Sequence, residues 1–279
     1  MIVVTGATGN VGRHLVQNLA SAGEWVTAVS RRAPAGEMPG TVEFQQADPA
    51  RPETLKPSLD GADALYLLVP GDGAGLDPYA ILETARAAGV RRVVLQSSQA
   101  TATRPDSPAH TRLRTFEGAV RESGLRWTVL RPSGFASNAY MWAASIRSGR
   151  TVAAPFGDVG LPVIDPADIA AVAAEALRDG SHAGRTYELT GPAPVSPREQ
   201  ARAIGEALGA PVRFVEQSRA EARELLLRFM PAPVVDSTLG ILGEPTPEER
   251  RVSPAVEQIL GRTPRTFADW TADNIVAFR

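Results

Sequence analysis

Three glycines spaced three apart, Gly6, Gly9 and Gly12, lie between a short β-branched apolar run and a segment whose apolar residues recur at helical spacing. Glycine at such positions permits a tight turn, a close approach of backbone to a bound group, and close packing of helix on strand. With Thr8, Asn10 and Val11 they form a loop whose N–H groups, aided by the helix dipole, would receive a pyrophosphate. A bare glycine motif says little. Here a strand precedes it and an amphipathic helix follows, with Val11, Leu15, Leu19 and Ala22 on one face, so dinucleotide binding is the chemistry expected of this turn.

The end of the second strand should discriminate between the two nicotinamide dinucleotides, since a carboxylate there bonds a ribose hydroxyl and a basic residue accepts a 2′-phosphate. The chain offers Ser30, Arg31 and Arg32, with no carboxylate until Glu37. Two adjacent guanidiniums favour NADPH over NADH through charge-assisted bonds; the plainer alternative is a solvated turn with two surface arginines. Asp48, just past the third strand, is placed either to meet the adenine amino group or to cap the helix before Arg51. Leu68, Val69 and Pro70 end the fourth strand and Ser97 and Ser98 the fifth, at the carboxyl edge where open α/β sheets bind ligands. These residues are expected to line the nicotinamide half.

Composition narrows the chemistry further. The chain has 279 residues, 43% of them hydrophobic and 22% charged, enough for a full core. It contains no cysteine, which removes disulfides, thiolate nucleophiles and Cys-based metal sites, so redox chemistry must come from a bound cofactor. No metal site is expected. Lys56 is the only lysine, so nearly all positive charge is arginine, interleaved with carboxylates to a net charge of −2. That balance speaks against a nucleic-acid partner. The sequence shows no apolar run of membrane-spanning length and no signal-peptide pattern, and a cytoplasmic location is expected.

These residues need a particular set of elements to position them. Strands are expected over residues 1–5, 25–30, 42–46, 62–69, 92–97 and 127–130, with helices over 51–59, 79–88 and 111–122 between them. Such alternation implies a parallel sheet covered on both faces. The expected fold class is α/β, a Rossmann-type doubly wound parallel sheet over residues 1–132 with a smaller C-terminal α/β substrate lobe over 133–279, partly interleaved with the sheet. In that lobe we expect helices over 138–148, 166–177, 196–208, 219–229 and 267–278, strands over 151–154, 186–189 and 212–215, and a proline- and glycine-rich loop or hinge over 231–247.

The glycine turn, the stretch Gly124-Leu125-Arg126-Trp127-Thr128-Val129-Leu130-Arg131-Pro132, and Asn138 together resemble the NmrA-like atypical short-chain dehydrogenases/reductases, over nearly the whole chain. Glu117 before the Ser123-Gly124 turn, Asp165 and Asp168 at a helix start, and Tyr187-Glu188-Leu189-Thr190-Gly191 are most similar to the quinone oxidoreductase and triphenylmethane reductase branch. The resemblance implies an NAD(P)-binding domain, a small lobe forming the substrate cleft, and in some members a redox-sensing role without turnover. The larger family uses a Tyr-x-x-x-Lys pair, which this chain lacks: none of Tyr66, Tyr79, Tyr140 and Tyr187 is followed four residues on by a lysine. Relatives similar to isoflavone and pinoresinol reductases carry a catalytic lysine at the position of Leu113; among its neighbours His110 alone titrates near neutrality and is the candidate catalytic residue.

The resulting expectation is an NADPH-dependent reductase of a quinone, dye or polycyclic aromatic carbonyl, in which the protein mainly holds the nicotinamide against a flat acceptor. Pro132 and Ser133 would contact the nicotinamide; Phe135, Asn138, Tyr140 and Trp142 would meet a small aromatic or quinone-like substrate. The alternative is a non-catalytic NADP(H)-sensing regulator with a protein partner. A homodimer is compatible with either.

Overall fold

The computed structural model describes residues 1–279 apart from Ala35, Glu37 and Asp72. The β-branched N-terminal run forms β1 (Ile2–Thr5), buried at every position, as a strand covered on both faces must be. The other strands are β2 (Val26–Ser30), β3 (Val42–Gln46), β4 (Ala64–Leu68), β5 (Arg92–Gln96), β6 (Arg126–Pro132), β7 (Thr151–Ala154), β8 (Arg185–Leu189) and β9 (Arg213–Glu216). Seven of them make one sheet in the order β3-β2-β1-β4-β5-β6-β8. The pairings from β3 through to β6 are parallel. This is the expected Rossmann-type fold. The strand order reverses where β1 pairs with β2 on one side and β4 on the other, the switch point at which such sheets bind ligands.

At that switch point a side chain extends the ladder. Regular pairing of β1 with β4 runs to Val4 opposite Tyr66, and then the Thr5 hydroxyl donates to the Tyr66 carbonyl at 3.0 Å and accepts from the Leu68 amide at 2.9 Å. The backbone can therefore leave β1 at Gly6 without stranding buried polar groups on β4.

The chain divides into two compact units, residues 1–101, 110–132 and 166–188 in the first and residues 102–109, 133–165 and 189–279 in the second. The first contains a core built from Val3, Leu65, Leu67, Val93 and Leu95 of the sheet, with Ile81 from the helix Pro78–Ala87 and Phe116, Ala119 and Val120 from the helix Thr111–Glu122. A single cut at residue 132 would assign residues 166–188 differently. The helix Pro166–Arg178 packs beside the helix Gly12–Ser21 in the first unit, because its alanine-rich face admits close approach.

The second unit pairs β7 with β9 in parallel and gathers Trp142, Ile146, Val152, Ile204, Phe267, Trp270 and Phe278 into its core. Its clearest departure from expectation is the segment 231–247, read as a loop or hinge but mostly the helix Ala232–Gly243. Pro231 is the N-cap and Pro233 lies in the first turn, where no intrahelical N–H is required. Val235 and Leu239 bury the inner face, while a Cβ on Gly243 would come within 2.6 Å of the Phe156 ring. The prolines thus start the helix and Gly243 provides room for an aromatic ring. Residues 138–148 also differ, forming a 3-10 segment Ala136–Trp142 followed by the helix Ala143–Gly149. The C-terminal helix is Phe267–Asn274, with a 3-10 turn Ile275–Phe278 after it. Among the described residues no helix is long and apolar enough to cross a membrane.

Candidate functional site

The turn leaving β1 is a cradle that needs glycine at two of its positions, Gly6 and Gly12. Gly6 has φ +66°, and a Cβ there would lie 2.2 Å from Leu68 Cδ2. At Gly12 a Cβ would meet the Gly6 carbonyl oxygen at 2.1 Å and Ala7 Cα at 2.8 Å, so this glycine seats the helix directly on the turn. Gly9 is different: its Cβ would meet only the Gly6 carbonyl, at 3.2 Å, and its remaining surroundings are open. The Gly9 amide donates to Gly6 O at 2.9 Å, closing the turn, while Thr8 and Asn10 are exposed and Val11 is buried. The helix Gly12–Ser21 starts without a side-chain cap at Val11 and without an acidic residue in its first turn. The Arg13 amide of its first turn donates to Gly9 O at 3.1 Å, and the positive end of the helix dipole, with neither cap nor carboxylate on it, favours an anion there.

At the end of β2, Arg31 and Arg32 are exposed, and among the described residues neither guanidinium has a hydrogen-bond or ion-pair partner. Their backbone is held instead: the Gln46 side-chain amide donates to Arg31 O at 3.0 Å, and the Ser30 hydroxyl donates to Arg32 O. Glu37, the next carboxylate in sequence, lies outside the described residues. Asp48 caps neither a helix nor a 3-10 turn, since the turn Pro52–Leu55 begins after Arg51 with no side-chain cap. Its Oδ1 accepts from the Ala50 amide at 3.1 Å, a local turn that sharpens the exit from β3.

Past β4, Leu68 is half-buried against the glycine turn, Val69 is buried and Pro70 exposed. Past β5, the Ser97 hydroxyl is committed. It donates at 2.7 Å to Oε1 of Glu117, a residue 2% exposed on the helix Thr111–Glu122. The same oxygen accepts from Thr101 Oγ1 at 2.8 Å and Arg131 Nε at 2.9 Å, and Oε2 accepts from Arg131 Nη2 at 2.6 Å and Arg121 Nη2 at 3.0 Å. Burial alone would raise the carboxyl's pKa; the bonds from Arg131, Ser97 and Thr101 outweigh it and hold the pKa at about 2. Glu117 entered the sequence reading only as a mark of resemblance. An acidic residue on the buried face of an amphipathic helix, beside Phe116 and Val120, was the signal of this hub. The Ser98 hydroxyl accepts from the Ala100 amide at 3.2 Å, opening the short helix Ala100–Thr103.

His110 is half-buried at the N-cap of the helix Thr111–Glu122 and makes no side-chain cap bond there. Leu113, at the lysine position of related reductases, packs against the core of the first unit. Tyr66 is equally unsuited to proton exchange: it is fully buried, its hydroxyl donates to Gln96 Oε1, and burial pushes its pKa up. Pro132 is buried at the end of β6.

Ser133 begins the second unit, with its amide donating to Leu189 O at 2.9 Å and its hydroxyl to Pro162 O at 2.7 Å. Of the residues expected to meet substrate, Trp142 is buried in that unit's core, and Tyr140 packs edge-on to Trp270 with ring centroids 5.1 Å apart while its hydroxyl donates to Asn274 Oδ1. Phe135 is half-buried and Asn138 exposed. Aromatic residues beyond a strand end serve a core as readily as a ligand, and periodicity does not separate the two uses.

The cradle, the uncapped and acid-free helix start and the two exposed arginines fit a dinucleotide with a 2′-phosphate, whereas among the described residues no cluster of three or more His, Asp or Glu suits a metal. A family model described as NAD(P)H-binding matches residues 6–180. Over 282 residues the chain is 39% identical to the (4-alkanoyl-5-oxo-2,5-dihydrofuran-3-yl)methyl phosphate reductase of Streptomyces griseus, covering 100% of this chain and 99% of that protein. Over 285 residues it is 33% identical to the NAD(P)H azoreductase of Xenophilus azovorans, again covering 100% and 99%. Its fold is similar to that of the Citrobacter sp. triphenylmethane reductase complexed with NADP(H), at TM-score 0.79 and 21% identity over 99% of this chain and 100% of that one.

Proposed function

The chain belongs to the family described as NAD(P)H-binding, and from that premise we propose that it is an NmrA-like, NADPH-dependent reductase of conjugated, electron-poor acceptors such as quinones, dyes or polycyclic aromatic carbonyls. The oxidoreductase class follows from its full-length reductase relatives; the choice of acceptor is our reading. The observation that carries it is a glycine turn shaped for a dinucleotide in a chain without a Tyr-x-x-x-Lys pair: Leu113 packs on the core, the chain's one lysine is Lys56, and Tyr66 is sealed within the sheet.

Bound NADPH would supply the hydride. The protein's own part is to hold the pyrophosphate on residues 6–12 and the helix start, to pair the 2′-phosphate with Arg31 and Arg32, and to seat the nicotinamide half between residues 68–70 and 97–98. Glu117 stays ionised at any physiological pH and is no proton donor. An acceptor whose reduced form is a stabilised anion needs little proton assistance, so positioning supplies most of the catalysis. Quinones, azo dyes and acyl-substituted unsaturated lactones share that property, cationic triphenylmethane dyes need no proton because hydride addition neutralises them, and simple ketones have neither advantage.

The test is NADPH oxidation across a panel of these acceptors beside an unactivated ketone. We expect turnover with at least one electron-poor acceptor and none with the ketone. Equal rates with the ketone would refute the acceptor class, and cofactor binding with no oxidation by any compound would favour a nucleotide sensor.

A further inference from the structure

We propose that Glu117 is a positioning residue for the nicotinamide end of the cofactor, acting through Ser97 by clamping the turn that follows β5; the step rests on reading the first unit as an NADPH site. The hub binds that turn at both ends. Ser97 Oγ and Thr101 Oγ1 both donate to Glu117 Oε1, at 2.7 and 2.8 Å, so Ser98 is held between two fixed points. The turn's backbone is tied to β6 in parallel, with Ser97 N donating to Leu130 O at 2.7 Å and Gln99 N to Pro132 O at 3.0 Å. Arg131, on β6 itself, grips the same carboxylate with two nitrogens. Turn, strand and helix are therefore locked around one buried anion.

Stability alone gives little reason for such a cluster, because a buried ion pair is often replaceable by apolar side chains at no loss, whereas it does fix geometry. The lock also fixes chemistry. With its proton committed to Glu117, the Ser97 hydroxyl presents only lone pairs to a ligand, which suits the N–H donors of a nicotinamide carboxamide. The carboxylate thus sets both the place and the polarity of the residue meeting that group.

Glu117→Gln keeps the shape but sets an amide N–H₂ against donors. The experiment compares NADPH with adenosine 2′,5′-bisphosphate, which carries the 2′-phosphate and lacks the nicotinamide, by titration of the full chain. We expect the variant to weaken NADPH about tenfold to a hundredfold while the bisphosphate stays within about twofold, since only the former uses the clamped turn. Ser97→Ala should show the same selective loss, and adding Glu117→Gln to it should have little further effect. Loss of both ligands together, or of neither, would overturn the proposal, as would full additivity of the two substitutions. Should Glu117→Gln lack a cooperative melt, Thr101→Val removes the hydroxyl that lies 2.8 Å from both Glu117 Oε1 and Ser98 O and is judged by the same ratio. A wild-type chain that binds neither ligand would overturn the NADPH-site reading, and this step with it; one that binds both equally would overturn this step alone.

Discussion

Acidification should dismantle the Glu117 hub over a pH window that its geometry sets. The carboxyl has an ordinary value of 4.5 and is held at about 2 in the fold, where five donor contacts from four side chains surround it. A group whose folded value lies below its unfolded one contributes stability that is complete above the unfolded value and is lost as pH falls towards the folded one. At ~1.36 kcal/mol per unit, the depression corresponds to about 3 kcal/mol in all, with most of it lost between about pH 4.5 and about pH 2. Other carboxylates titrate in the same range, so the wild type is compared with Glu117→Gln, which lacks the titrating group. Urea unfolding at intervals from about pH 6 to about pH 3 should show the wild type losing about 2 kcal/mol more than the variant over that span. Parallel stability curves would refute the argument, because they would mean that Glu117 titrates in the folded chain as it does in the unfolded one.

The glycine turn separates folding from binding. Gly9→Val should lower the thermal melt much less than Gly12→Ala, since a Cβ meets only one carbonyl at 3.2 Å, yet weaken NADPH by more than about tenfold by filling the space meant for pyrophosphate. Gly12→Ala should destabilise the fold itself by about 1–3 kcal/mol, because the atoms it strikes at 2.1 and 2.8 Å are backbone that cannot rotate away. The reverse pattern, an unstable Gly9→Val beside a stable Gly12→Ala, would contradict this division. Replacing both Arg31 and Arg32 by Ala should reduce the preference for NADPH over NADH by one or two decades, about 1.4–2.8 kcal/mol, measured by titration with each nucleotide; an unchanged preference would place the 2′-phosphate elsewhere.

Local sequence was sufficient wherever one short stretch both names an element and satisfies it. The run at 2–5 followed by glycines at 6, 9 and 12 could be little other than a strand, a turn and a helix, and the arginines at the end of β2 were visible as adjacent charges without a carboxylate nearby. Short continuous apolar runs likewise located the strands of the sheet, because burial on both faces forces them to be apolar, and 3.6-residue spacing located the helices between them. Partnership was not local. That the helix Pro166–Arg178 returns to the first unit, that Gly243 makes room for Phe156, and that Trp142 and Tyr140 enter a core all depend on what lies opposite in space, which an amphipathic pattern does not name. The hub is the sharpest instance. Ser97, Thr101, Glu117, Arg121 and Arg131 are ordinary polar residues in sequence, and only the pairing of β5 with β6 and the packing of one helix bring them round a single buried carboxylate, where desolvation makes each hydrogen bond obligatory.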